Sequence, residues 1–223
     1  MDHTSYIDNW LICISGFTQH EGRMSGLDRL QHHLHQKCYS RNTRILLKSW
    51  KDNMEQLADR IYNYQPPIGR QLSITIIGYS YGGMSGINLS KKLLRRGIKV
   101  NNLLLLDAVW RPYGPSILSL FPYWTIKVPN NVKNLWSWVQ DYNKPSGHKI
   151  EFDPDFTVWK NPTDPVLKIP HAAMDEYLPA HEVALSIACP NSERKNEVLL
   201  TDIDYLNSMD KCCHSPGHRD QLS

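Results

Sequence analysis

The stretch Leu72–Gly83, reading Leu-Ser-Ile-Thr-Ile-Ile-Gly-Tyr-Ser-Tyr-Gly-Gly, constrains the fold of this chain more than any other. Its first half carries the β-branched run Ile74 to Ile77, of the kind found in strands buried on both faces. Beyond it, Met84, Ile87, Leu93 and Leu94 recur at roughly helical spacing. A strand that becomes a helix within so few residues must turn sharply, and the turn is Gly-x-Ser-x-Gly with Ser80 at its centre. Gly78 and Gly82 stand two residues to either side of the serine, where a Cβ would crowd so tight a turn. The helix behind it aims its first N–H groups back at the hydroxyl. Three fixed positions in five recur by chance in many chains. It is the strand before and the helix after that make Ser80 a candidate nucleophile.

The rest of the chain repeats the same alternation. Trp10 to Ile14 is a short apolar run stopped by Ser15-Gly16, which predicts a first buried strand. Leu27, Leu30 and Leu34 mark a helix, Thr43 to Trp50 a second strand, and Met54, Leu57, Ala58, Ile61 and Tyr62 an amphipathic helix ended by Pro66-Pro67. The elbow strand is third. Val100 to Asp107 predicts a fourth, Val132 to Val139 a fifth, and another is expected near Lys149 to Phe152. After Val166 to Pro170 a helix resumes near Pro179, with Val183, Ala184 and Ile187 expected to face inward. Strands alternating with helices imply right-handed parallel crossovers. The expected fold is therefore α/β, a mostly parallel central sheet of about six strands with helices on both faces. The 223 residues suit one such domain over 1–190, with 191–223 as a partly flexible C-terminal extension.

In an open parallel sheet, ligands bind at the carboxyl ends of the strands. Ser80 lies there, and so does the loop Gly16-Phe17-Thr18-Gln19 after the first strand. A serine hydroxyl is a poor nucleophile at neutral pH, so it needs a base and a third group to orient that base. Three histidines after these strands and within 1–190 are available. His148 sits in a turn before a short strand, His181 lies one turn into a helix on what reads as its polar side, and His171 follows an apolar run in a loop. His171 has the setting a base requires. Two carboxylates qualify as its partner: Asp107, which ends the strand next to the elbow, and Asp141, which ends the one after. Asp107 is preferred because its strand is cleaner and adjoins that of the nucleophile. The backbone N–H of Tyr81, with one from Phe17 or Thr18, would form an oxyanion hole. Trp110, Phe121, Tyr123 and Trp124, around the apolar insertion Ile117 to Ile126, are candidates to line a pocket for an apolar acyl group.

The order Gly78-Tyr79-Ser80-Tyr81-Gly82-Gly83, then Leu104-Leu105-Leu106-Asp107, then His171 resembles the α/β-hydrolase superfamily, specifically its small lipase-like and thioesterase-like members. The likeness runs from about Trp10 to Ala188. It implies a trimmed version of that fold, without the early antiparallel strands of larger members, and a serine hydrolase that needs no cofactor. Ser80 would be the nucleophile, His171 the general base and Asp107 the acid, cleaving a small-molecule ester or thioester through an acyl-enzyme. Many members carry the acid one strand later, which keeps Asp141 open. The His-Gly-Gly-Gly loop of some esterases is replaced by Gly16-Phe17. An acyltransferase could use the same triad, and a non-catalytic binding protein could keep the fold alone.

Other classes find little support. A net charge of +3 is too small to argue for nucleic acid, and its densest cluster, Lys91, Lys92, Arg95 and Arg96, reads as the solvated end of the elbow helix. No apolar run approaches the roughly 20 residues of a membrane span. Met1 to Asn9 lacks the basic start and apolar stretch of a signal peptide. Cys13, Cys38, Cys189, Cys212 and Cys213 are odd in number and without framework spacing, so reduced thiols and a cytoplasmic protein are expected. His32, His33 and His35 read as a solvated helix face. Cys212, Cys213, His214 and His218 lack a second ligand pair, so no metal site is expected.

Overall fold

The computed structural model describes residues 7–17, 19, 24–38, 42–110, 125–160 and 166–189, which fall within one compact unit spanning Met1–Pro190. The segment from Asn191 onward lies outside the described residues. In chain order the elements are β1 (Ile7–Ser15), α1 (Gly26–Cys38), β2 (Thr43–Ser49), α2 (Met54–Tyr62), β3 (Gln71–Tyr79), α3 (Tyr81–Arg95), β4 (Val100–Leu106), β5 (Ile126–Lys127), β6 (Val132–Gln140), β7 (Ile150–Glu151), β8 (Val158–Trp159) and β9 (Val166–Leu167). A 3₁₀ helix (His171–Glu176) and α4 (Leu178–Ala188) follow. The main sheet runs β2-β1-β3-β4-β6-β8, with β9 also paired to β6, and every pairing in it is parallel. The strand expected near Lys149 forms as β7, yet it pairs with β5 in a separate two-stranded ladder.

The side-chain alternation of a strand divides the core into two layers. Trp10, Ile12 and Ile14 of β1 and Ile74 and Ile76 of β3 pack with Met54, Leu57, Ile87 and Leu93 of α2 and α3. Leu11 and Cys13 of β1 and Ile77 of β3 face the other way, onto Leu27, Leu30 and Leu34 of α1 and Ala180 and Ala184 of α4. Apolar runs rather than alternating ones are therefore what β1, β3 and β4 require, because both faces are covered by helices. Val183 and Ile187 are only partly buried, and α4 turns Ala180, His181, Ala184 and Ala188 inward instead.

Two expectations about charge and sulfur are corrected. Lys92 and Arg96 do not project freely from α3: both pair with Glu55 of α2, and Arg96 also with Asp59. Hydrogen bonds from Lys92 and then Arg96 hold the Glu55 carboxyl down at about 2. The cysteines are not all thiols, for Cys38 at the end of α1 is disulfide-bonded to Cys189 just beyond α4, with Cα atoms 5.4 Å apart. The two helices lie side by side in one core layer, which brings together sulfurs 151 residues apart in sequence. Thiol usage therefore no longer argues for a reducing compartment. Cys13 is a buried free thiol in β1, pushed up to about 12 by burial. Among the described residues no helix is long and apolar enough to cross a membrane.

The order of strands locates the site. β1 leads through α1 to β2 on one side, and β2 then leads through α2 back to β3 on the other. Crossovers on opposite sides open a crevice between the carboxyl ends of β1 and β3. The loop at Gly16 and the elbow at Ser80 flank that crevice.

Candidate active site

Ser80 sits at φ 54° and ψ −123°, a backbone state that non-glycine residues rarely adopt. The surroundings hold it there. Its N–H donates to the Leu106 carbonyl at 2.9 Å, and its own carbonyl accepts from Gly83 and Val109, both at 3.0 Å. The glycines permit the close approach: a Cβ on Gly78 would lie 2.6 Å from the Gly82 carbonyl oxygen, and one on Gly83 would lie 2.6 Å from the Ala108 Cβ. The elbow is thus clamped between the ends of β1 and β4, with its hydroxyl raised and the first N–H groups of α3 beside it.

His171, Ser80 and Asp107 meet although they stand far apart in sequence. The His171 ring places Nε2 at 2.9 Å from Ser80 Oγ and Nδ1 at 2.5 Å from Asp107 Oδ2. A carboxylate only accepts, so Nδ1 carries the proton and Nε2 is left as the acceptor for the serine hydroxyl. His171 is the first residue of the 3₁₀ helix rather than part of an irregular loop. Tyr79 supports it from below, its ring stacked on the imidazole with centroids 5.1 Å apart and its hydroxyl donating to the His171 carbonyl at 2.8 Å. Burial raises the Tyr79 hydroxyl well above its ordinary value, so it stays a donor. Asn143 Oδ1 accepts the His171 N–H at 2.8 Å.

Asp107 is fully buried, at 0 % exposure, and its two oxygens accept four hydrogen bonds. Oδ1 accepts from the backbone of Gln140 at 3.1 Å and of Gly147 at 2.6 Å. Oδ2 accepts from the Gln140 amide at 3.0 Å and from His171. The Gln140 amide is itself fixed, donating to the carbonyls of Asn143 and Pro145 and accepting the Asn143 N–H. A buried charge is tolerable only when so thoroughly satisfied. Asp141 takes no part. Strand alternation turns Gln140 inward and its neighbour outward, where Asp141 pairs with Lys168 at 2.7 Å.

The other candidates are distributed as follows. Phe17 is 55 % exposed, and its ring joins those of Trp50 and Tyr81 at centroid separations of 5.2 to 6.2 Å. Its loop abuts the elbow, because a Cβ on Gly16 would lie 2.9 Å from the Ser80 Cβ. Thr18 lies outside the described residues, as do Phe121, Tyr123 and Trp124. Trp110 packs against the core layer of α2 and α3, its carbonyl held by His148 Nε2 at 2.8 Å. His148 is thereby committed away from Ser80. Among the described residues no group of three or more His, Cys, Asp or Glu is placed to hold a metal ion. Sequence reasoning missed Trp50, Gln140, Asn143 and Gly147, which become neighbours of the site only through sheet order and loop return, and it gave Tyr79, next to Ser80 in the elbow, no role.

His181 is not on a polar face. It is buried, and its Nε2 donates to the Asp175 carbonyl at 2.6 Å. Burial lowers its pKa from 6.5 to about 4, while burial raises the Asp175 carboxyl from 3.8 to about 6. The two shifts oppose each other in stability. The stability that goes with neutral His181 is present above 6.5 and lost as pH falls toward 4. That which goes with protonated Asp175 is present below 3.8 and lost as pH rises through 6. At about 1.4 kcal/mol per pKa unit each is worth on the order of 3 kcal/mol, so they nearly cancel. His181→Gln keeps a neutral donor and removes one side of the balance. Its unfolding free energy, measured by urea titration, is expected to rise by about 2–3 kcal/mol relative to wild type between pH 6.5 and pH 4. An unchanged difference would show that His181 is not held neutral.

No protein-family model and no curated protein matches the chain.

Proposed function

We propose that this protein is a serine hydrolase of the α/β-hydrolase type, cleaving a small-molecule ester or thioester by two-step acyl transfer. The observation that carries the reading is the unbroken relay from Ser80 Oγ through the His171 ring to a fully buried Asp107. His171 Nε2 takes the proton as Ser80 Oγ attacks the acyl carbonyl, and Asp107 stabilises the imidazolium that forms. The backbone N–H groups of Tyr81 and Phe17 receive the developing oxyanion. Collapse of the tetrahedral intermediate breaks the bond to the alcohol or thiol, which leaves with the proton held on Nε2. Water, deprotonated by the same nitrogen, attacks the acyl-enzyme, and the carboxylic acid leaves as Ser80 recovers its proton. The aromatic rings of Phe17, Trp50 and Tyr81 beside the elbow, the first exposed and the other two half-buried, favour a substrate with an apolar group next to the scissile bond.

A fluorophosphonate probe tests the reading, because it reacts with serines activated in this way. One adduct is expected on the peptide containing Ser80, located by mass spectrometry, and no adduct in Ser80→Ala. Labelling that persists in that variant, or wild-type protein that takes up no probe, would sink the proposal.

A further inference from the structure

Beside the relay lies a second buried carboxylate that it does not use. Asp175 is four residues beyond His171 on the same 3₁₀ helix and is 3 % exposed. Its Oδ2 accepts the Gly26 N–H at 2.7 Å and the Gln19 Nε2 at 2.5 Å. The other end of the Gln19 amide, Oε1, accepts the Gly16 N–H at 2.9 Å. Gly16 is the residue against the Ser80 Cβ, and the next N–H in the chain is that of Phe17. A continuous chain of hydrogen bonds therefore runs from the helix that begins with the base to the loop on the far side of the nucleophile.

The chemistry of the pair fixes its direction. An ionised carboxylate offers no donor, so the amide must turn its NH₂ toward Asp175, and its oxygen is then forced toward the Gly16 N–H. A glutamine without that carboxylate could flip and leave the loop unheld. The remaining charges around Asp175 do not compete for the amide. Arg29 of α1 pairs with Glu176, and His181 of α4 bonds the Asp175 backbone rather than its side chain. Gly26 is required at the start of α1 because a Cβ there would lie 2.2 Å from the Asp175 carbonyl oxygen, so helix, carboxylate and loop are packed as one unit.

We propose that Gln19 and Asp175 are positioning residues that hold the Gly16–Phe17 backbone so that the Phe17 N–H faces the oxyanion in the transition state. The inference rests on the hydrolase reading above. A full oxyanion donor is worth about a hundred- to a thousandfold in kcat, and loosening one costs part of that. The group receiving the oxyanion acts on the transition state more than on the bound substrate, so kcat should fall with little change in KM.

The test is steady-state hydrolysis of a nitrophenyl butyrate by wild type, Gln19→Ala, Gln19→Glu, Asp175→Asn and the double variant Gln19→Glu/Asp175→Asn, with each melting curve recorded. Gln19→Ala is expected to lower kcat by about thirtyfold with KM within about threefold. Gln19→Glu sets two carboxylates face to face, and once the pH is high enough that the pair holds no shared proton it should lose as much. The double variant restores the chain with its polarity reversed, the carboxylate now at position 19 accepting both the Gly16 N–H and the NH₂ of the amide now at position 175. It should recover kcat to within about fivefold of wild type. A merely structural role would not produce that recovery. If wild type turns over the ester while Gln19→Ala keeps its kcat, or the double variant loses the product of the single losses, the inference is overturned and the hydrolase reading stands. If wild type shows no turnover beyond Ser80→Ala, the reading fails and takes the inference with it. Gln19 lies on a partly exposed loop, so Gln19→Ala decides the matter even where variants carrying Asp175→Asn do not fold.

Discussion

Ser80→Ala is expected to lower kcat for a short-chain nitrophenyl ester by about a millionfold, and Asp107→Asn by about ten-thousandfold. On the proposed hydrolase reading, the first removes the atom that would form the acyl-enzyme. The second changes a single group at the end of the relay, and its effect follows from how the four hydrogen bonds of Asp107 are divided. Oδ1 receives two backbone N–H groups, from Gln140 and Gly147, whose carriers are fixed by the chain. An asparagine must therefore keep its oxygen on that side and turn its NH₂ toward Gln140 Nε2 and His171 Nδ1. The imidazole can answer only by moving its proton to Nε2, where it faces Ser80 and can no longer accept the hydroxyl proton. Asp141→Asn serves as the comparison. That side chain is half exposed and paired with Lys168, so kcat should change by less than about twofold, as expected for a surface ion pair. Asp107→Asn retaining a tenth of wild-type turnover would remove Asp107 from the role. A large loss in Asp141→Asn would place the acid one strand later.

The legible part of this chain is the part governed by local rules. The elbow can be read because a buried strand, two glycines and a helix in immediate succession leave one conformation for the residue between them. Asp107 can be favoured over Asp141 because a strand ending on a carboxylate beside the nucleophile's strand is a pattern within a few residues. What holds Asp107 cannot be read: Gly147 returns from a loop, and Gln140 faces inward only because β6 is in register with β4, Trp138 opposite Leu106. His181 defeats local reading because α4 is apolar on several sides, so its sequence does not say which side meets the sheet. Its buried side consists largely of alanines, which carry little pattern. The Cys38–Cys189 bond and the Gln19–Asp175 contact join segments about 150 residues apart, and nothing local announces either. Trp50, rather than Trp110, reaches the elbow because β2 ends beside β1, which alone separates it from β3, with the Trp50 N–H donating to the Ser15 carbonyl at 3.1 Å.

Gly82→Ala, whose added methyl group would make the shortest contact of any at the described glycines, is expected to cost about 3–5 kcal/mol. The new Cβ would lie 2.0 Å from the Ile14 carbonyl oxygen, 2.7 Å from the Ile14 carbonyl carbon and 2.8 Å from the Ser15 carbonyl oxygen. All three are backbone atoms, so no side chain can rotate away. β1 cannot retreat, since it is paired along its length with β2 on one side and β3 on the other. α3 cannot lift either without opening the elbow, where a Cβ on Gly78 or Gly83 would meet backbone or Ala108 at 2.6 Å. Gly97→Ala gives the scale for comparison: its φ is +69°, but nothing lies within 4 Å of the added carbon. Backbone strain alone there should cost about 1–2 kcal/mol. Urea unfolding of the two variants separates the causes, and Gly82→Ala within about 1 kcal/mol of wild type would contradict the packed elbow. The same clash has a functional signature below the unfolding threshold. The nearest relief is a shift of the end of β1, which carries Gly16 and Phe17. Any Gly82→Ala protein that remains folded should therefore lose kcat while its KM stays near that of wild type.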